Sequence, residues 1–259
     1  MDLEIIDFHA HPFPDHARNI CAHKDALSMN DRTILEIYGK LGISRVCGSV
    51  IEDGNNEDRW AKIKANNDHA LKLQAQYGDF YVPGFHIHPD YVEQSIGEIQ
   101  RMDQLGIRLI GELVPYIDGW NESYDSENLS ILLDEAGKRN MVVSFHTQND
   151  DAIDAMVKRH PDVIFVAAHP GEYATQLRHF ERAKYADNYY LDISGTGPHR
   201  YGMLRRAIDV MGADRILFGT DYPTCSPATF LGGVLLDPTI TDAEKEKIFS
   251  LNAKYLLGL

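Results

Sequence analysis

Residues 141–169 read MVVSFHTQNDDAIDAMVKRHPDVIFVAAH. An apolar run over 141–145 ends on His146, an amphipathic stretch follows over 150–159, and a second apolar run over 162–168 ends on His169. The runs are short and rich in β-branched residues, which predicts strands, and the stretch between them predicts a helix. Asp150 and Asp151 sit at its first turn, where negative charge suits the helix dipole. The apolar runs are continuous rather than alternating, as in strands covered on both faces. The segment therefore reads as one strand–helix–strand unit with a histidine closing each strand.

The same order repeats along the chain. Strands are expected near 3–9, 44–50, 80–87, 107–113, 141–146, 162–168, 189–194 and 214–220. Helices are expected near 31–41, 57–77, 91–104, 126–139, 150–159, 173–184, 200–211 and 241–257, the last opening on a Thr241–Glu244 capping box. Eight units in 259 residues leave about 32 residues each, close to the roughly 30 that a βαβ step needs. The expected fold is a single (β/α)8 TIM barrel over 1–259, at the usual size of about 250 residues. A doubly wound nucleotide-binding sheet is disfavoured, because neither GxGxxG nor GxxxxGK[ST] occurs.

Composition narrows the partners. With 25 Lys and Arg against 39 Asp and Glu, the net charge is −14, which argues against nucleic acid or an anionic membrane. No apolar run is long enough to span a bilayer, and the acidic start MDLEIIDFHAHP does not read as a secretory signal. Cys21, Cys47 and Cys225 are odd in number and widely spaced, so neither a disulfide framework nor a zinc ribbon is expected. A reduced cytoplasm, a small-molecule substrate and a homodimer, the common default for symmetric oligomers, complete the expectation.

Six of the 12 histidines fall at predicted carboxyl ends of strands: His9, His11, His86, His88, His146 and His169. In a parallel barrel those ends form one rim, where active sites lie. Residues two apart on a strand face the same way, so His9 and His11 can aim at one metal ion. Glu112 in IGELVPY and Asp221 in ILFGTDYP occupy the same place in their strands. Burying such groups costs several kcal/mol unless they are paired or bind metal, and their convergence points to a metal centre rather than to isolated polar groups.

The series His9-x-His11, Glu112, His146, His169 and Asp221 resembles the amidohydrolase superfamily of metal-dependent barrel enzymes. The phrases IIDFHAHP, AHPG, RILFGTDYP and IFSLNAKYLLGL resemble its amidohydrolase-related branch, which includes aminocarboxymuconate semialdehyde decarboxylase. The resemblance covers nearly the whole chain. It implies that His9, His11, His146 and Asp221 ligate metal, and that His169 ligates a second ion or assists at the substrate. Glu112 either bridges two ions, as in TatD-type deoxyribonucleases, or orients a ligand histidine. No lysine lies on strand four to be carboxylated instead.

Imidazole and carboxylate donors suit Zn2+, with Mn2+ or Fe2+ as alternatives, and one or two ions are expected. The first functional reading is hydrolysis of a small carboxylic ester, lactone or amide by a metal-activated water, with Asp221 moving the proton. The alternative is metal-dependent, non-oxidative decarboxylation of a small unsaturated carboxylic acid. A TatD-like nuclease and a non-catalytic metal-binding protein are further alternatives. His86 and His88 are expected to bind substrate or to serve structure, Tyr116 and Trp120 to form an apolar wall, and Arg200 to pair with a substrate carboxylate. Cys225 is expected to pack rather than to ligate.

Overall fold

The structure, a computed structural model, describes residues 3–12, 31–51 and 58–259. Cys21 lies outside the described residues. Eight parallel strands stand side by side in sequence order. They are β1 (Ile5–Asp7), β2 (Ile43–Gly48), β3 (Tyr81–Phe85), β4 (Leu109–Leu113), β5 (Val142–His146), β6 (Ile164–Ala168), β7 (Tyr189–Asp192) and β8 (Ile216–Leu217). The first and last close on each other: Phe8 N donates to Phe218 O at 2.8 Å, Thr220 N donates to His9 O at 3.1 Å, and Ala10 bridges to Tyr222. This is the expected (β/α)8 barrel.

Helices α1 (Asp31–Leu41), α2 (Arg59–Tyr77), α3 (Val92–Gln104), α5 (Glu127–Gly137), α6 (Asp150–Arg159), α7 (Tyr173–Tyr185) and α8 (Met203–Met211) connect successive strands, and the short α4 (Pro115–Asp118) precedes α5. In α6, Asn149 caps the start by accepting from Ala152 N, the two aspartates follow, and Lys158 and Arg159 close the last turn. Both ends thus oppose the helix dipole.

The register divides the side chains into two layers. Ile6, Phe8, Cys47, Leu109, Val142 and Val166 fill the barrel. The larger layer, including Tyr81, Phe85, Phe145, Phe165 and Tyr189, lies between strands and helices.

Two elements differ from the sequence expectation. The expected helix 241–257 is broken into α10 (Asp242–Glu246), a π-helical stretch Lys247–Leu251 and α11 (Asn252–Leu257), and α10 does open on the Thr241–Glu244 capping box. An additional helix, α9 (Pro227–Leu235), follows β8. Its sequence PATFLGGVL is apolar with two central glycines, so it carries no amphipathic stripe to mark it. No described helix is long and apolar enough to cross a membrane.

Candidate metal centre and active site

The site forms at the carboxyl ends of the strands, beginning just past β1. Asp7 is buried and accepts from Thr220 Oγ1 at 2.6 Å, Tyr38 Oη at 2.8 Å, Thr220 N at 3.0 Å and His9 N at 3.2 Å. Burial pushes its carboxyl up to about 7 against those donors. His9 O in turn accepts from Asp221 N at 2.7 Å, and His11 N donates to Tyr222 O at 2.7 Å. The expected strand 3–9 is thus shorter. It is this lacing of β1 to β8, rather than strand pleat alone, that aims His9 and His11 together.

Their tautomers are set from behind. His9 Nδ1 lies 2.8 Å from Asp192 Oδ2, and His11 Nδ1 lies 3.0 Å from the Ser49 carbonyl oxygen. Each acceptor takes the Nδ1 proton, which leaves Nε2 to present a lone pair in the neutral ring. His9 Nε2 is 3.4 Å from Glu112 Oε2 and 3.8 Å from Asp221 Oδ1. His11 Nε2 is 3.5 Å from each of the same two oxygens. His9, His11 and Glu112 therefore form one donor group with Asp221 Oδ1 beside the two imidazoles, and His9 Nε2 is buried without a hydrogen-bond partner. Donors bonded at about 2.0–2.2 Å to one tetrahedral ion stand roughly 3.3–3.6 Å apart. The spacing and the orphaned nitrogen both fit a divalent cation.

Glu112 is the pivot. Its Oε1 lies 2.9 Å from His146 Nδ1 and 3.4 Å from His169 Nε2, on the side away from His9 and His11. His9–His11–Glu112 and Glu112–His146–His169 are two donor groups, each close enough to hold an ion. Burial opposes the charge on Glu112, but His9, His11, His146 and His169 override it and hold the carboxyl well below its ordinary range. Burial likewise opposes a proton on His9, and Asp192 and Glu112 override that, holding the ring well above the imidazole range. Without a metal, a proton on His9 balances the carboxylates. Asp221 differs: burial is its strongest influence and raises its pKa despite the nearby histidines.

Backbone geometry turns two side chains inward. His169 has φ 68° and Asp221 has φ 59°, left-handed values that non-glycine residues adopt at a cost and that recur at functional sites. Gly195 shows why no side chain fits beside them: a Cβ there would lie 2.2 Å from His169 Nδ1.

These groups line an open cavity of about 430 Å3. Its apolar wall includes Ile51, Val114, Tyr116 and Ile117, and among the described residues no lysine or arginine lines it. Tyr116 is therefore where it was expected, its ring centroid 5.3 Å from that of His146. Cys225 also lines the cavity, with its thiol pushed up to about 11 by burial, so it stays neutral. The other candidates stand outside this cavity. His86 and His88 are buried outside the cavity, with His86 Nε2 on Val50 O at 3.2 Å and His88 Nε2 on Asp118 O at 3.1 Å. They secure neighbouring loops. Trp120 packs against His88 and Tyr124, away from the cavity. Arg200 pairs with Glu172 and faces a neighbouring cavity.

Sequence reasoning missed Asp192, Ser194 and His199. Ser194 Oγ donates to Asp192 and stands 3.0 Å from both His9 Nδ1 and His169 Nδ1. Asp192 carried a usable signal, since it ends an apolar run just as His146 does. His199 lines the cavity from the loop after β7.

Barrel, rim and donor set define a metal-centre (β/α)8 enzyme. Residues 6–259 match the family model described as Amidohydrolase, and the chain belongs to that family. No curated protein matches the chain. Among solved structures, 2,6-dihydroxybenzoate decarboxylase from Rhizobium aligns with TM-score 0.78 at 18% identity, covering 99% of each chain. 5-Carboxyvanillate decarboxylase from Sphingomonas paucimobilis aligns with TM-score 0.76 at 15% identity, again over 99% of each chain. A dihydroxybenzoic acid decarboxylase from Polaromonas, described with bound manganese and the inhibitor 2-nitroresorcinol, aligns with TM-score 0.74 at 16% identity over 99% of this chain and 97% of that one. At these identities the likeness is one of fold.

Proposed function

We propose that the protein is a metal-dependent, non-oxidative decarboxylase of a small unsaturated or aromatic carboxylic acid. Asp221 carries the proposal. Decarboxylation needs a group that can pass a proton to carbon, and the Asp221 carboxyl lines the cavity beside the metal donors, 3.5 Å from His11 Nε2. The three aligned decarboxylases support the reading at the level of fold.

His9, His11, Glu112 and Asp221 would hold the ion, with Zn2+ and Mn2+ both suited to the donors. When bound, it supplies positive charge that fixes the acid and withdraws electrons from the bond that breaks. His169 faces the cavity, and Ser194 positions its Nδ1. Burial opposes a proton on His169, yet Glu112 overrides it and raises its pKa. Its imidazole would hydrogen-bond the substrate carboxylate at the cavity wall. The carbon–carboxyl bond breaks, its electron pair stays on the carbon, and carbon dioxide leaves. Asp221, through the oxygen not turned to the histidine donors, would take a proton from water and pass it to that carbon. The apolar wall of Val114, Tyr116 and Ile117 keeps water from the reacting carbon.

Hydrolysis is the second reading. It is favoured by the pivot position of Glu112, which faces two histidine pairs and could join two ions. The net charge of −14 favours a small-molecule substrate over a phosphodiester. We place the protein in the cytoplasm, a reading supported by the free thiols of Cys47 and Cys225.

The test incubates manganese- or zinc-loaded protein in D2O with hydroxybenzoates and unsaturated acids, and separately with esters and lactones. The expected result is carbon dioxide release with one deuterium on the product carbon. Ester or lactone cleavage with no carbon dioxide from any acid would overturn it.

A further inference from the structure

A second cavity, of about 490 Å3, lies between the loop after β7, the start of α8 and helix α9. Gly195, His199 and Cys225 line both this cavity and the metal-bearing one, so the two are contiguous. Their characters differ. The second is walled by Ile193, Met203, Leu204, Phe230 and Val234. Its two charged lining residues are already engaged: Arg200 pairs with Glu172, and Asp237 Oδ1 accepts from Thr239 Oγ1 at 2.6 Å and Thr239 N at 2.8 Å. Tyr201, 84% exposed, adds an aromatic face at the rim. The chain also ties this cavity to the reacting end of β8. Cys225 N donates to Asp221 O at 3.1 Å, and α9 begins two residues later. A group lying against Phe230 is therefore held in fixed relation to Asp221.

We propose that this cavity is a substrate subsite that takes an aryl or branched-alkyl substituent, so that the natural substrate is a substituted acid rather than a bare single ring. The head group's placement rests on the decarboxylase reading; the subsite itself does not. A two-part ligand would put its carboxylate at His169 and pass its apolar part between His199 and Cys225. Nothing along that route is charged and unpaired, so an apolar group buries there without stranding an ion. Pockets that bury small ligands combine such apolar walls with a few placed polar groups.

Gly233 provides the probe. It lines the cavity from α9, and a Cβ added there meets nothing within 4 Å. Gly233→Leu therefore fills the cavity while improving helix propensity, and a thermal melt checks that it folds. Calorimetry on manganese-loaded protein compares 2-hydroxybenzoate with its 4-phenyl and 5-phenyl derivatives. At least one phenyl derivative should bind about tenfold more tightly than the parent acid, from buried apolar area alone. Gly233→Leu should abolish that gain, and Phe230→Ala, which removes a wall, should reduce it. Crystals soaked in benzyl alcohol, which has no carboxylate, should show it between Phe230 and Met203. Benzyl alcohol in the cavity without binding of any benzoate would sink the decarboxylase reading and leave the subsite standing. An empty cavity in the soak, equal affinities across the acids, or a phenyl gain that survives Gly233→Leu would overturn the subsite. A second copy of the chain covering this face would appear as a dimer in solution together with an empty cavity.

Discussion

An Asp192→Asn protein keeps a side chain of the same size between His9 and Ser194 and loses one negative charge. Asp192 is fully buried, and its Oδ2 lies 2.8 Å from His9 Nδ1 while its Oδ1 accepts from Ser194 N at 2.9 Å. The asparagine oxygen can still accept from His9, so the tautomer survives and the charge-assisted part of the bond is lost. Removing a carboxylate behind a ligating histidine typically costs 10–100-fold in metal affinity, or about 1.4–2.7 kcal/mol. A second effect runs the other way at low pH. Burial opposes the proton on His9, and Asp192 is the strongest influence that retains it. A metal must displace that proton, so affinity in the parent protein should climb as pH rises toward the raised His9 pKa. With asparagine the ring loses its proton more easily, and the climb should end at lower pH. The comparison is therefore cleanest at the high-pH end of the titration, where proton competition is weakest. Titration against a fluorescent chelator measures it. An affinity within about twofold of the parent, with an unchanged pH profile, would refute the idea that Asp192 tunes a ligand.

Gly195→Ala forces a Cβ to 2.2 Å from the His169 ring; turnover should fall by about 100-fold or more, since displacements near 1 Å have that effect, and steady-state kinetics on folded protein checks it. Asp221→Asn should lower turnover below detection while the melting temperature stays near that of the parent, as measured by carbon dioxide release and calorimetric melting. His179 is held neutral, its pKa pushed down to about 3 by burial and then by Arg182. Because the unfolded ring protonates near pH 6.5, stability should fall as pH drops below that value, by about 2 kcal/mol at pH 5. Denaturant midpoints should show less of this slope in His179→Gln. Chelating a metal present at about 1,000 times its Kd should remove about 4 kcal/mol of stability, a drop of roughly 8–16 °C in Tm.

The barrel is legible because its units repeat: β5, α6 and β6 coincide closely with the runs at 141–169, and the histidines that close those runs lie beside Glu112. Helix α9 was not legible, because PATFLGGVL has no polar face to break its pattern. The ligand candidates stand out as isolated polar residues after apolar runs, whereas His86 and His88 carry the same local signature and serve loops instead. Only their partners, the carbonyls of Val50 and Asp118, distinguish them, and those lie 36 and 30 residues away. Asp192 was overlooked although it ends its strand in the same way. Its role depends on His9, 183 residues distant, which no local pattern encodes.

Anomalous diffraction from metal-loaded crystals tests the centre most directly. The account predicts an ion about 2.0–2.3 Å from His9 Nε2, His11 Nε2, one oxygen of Glu112 and one of Asp221. Full loading with the anomalous peak elsewhere, or no peak among those four side chains, would contradict it.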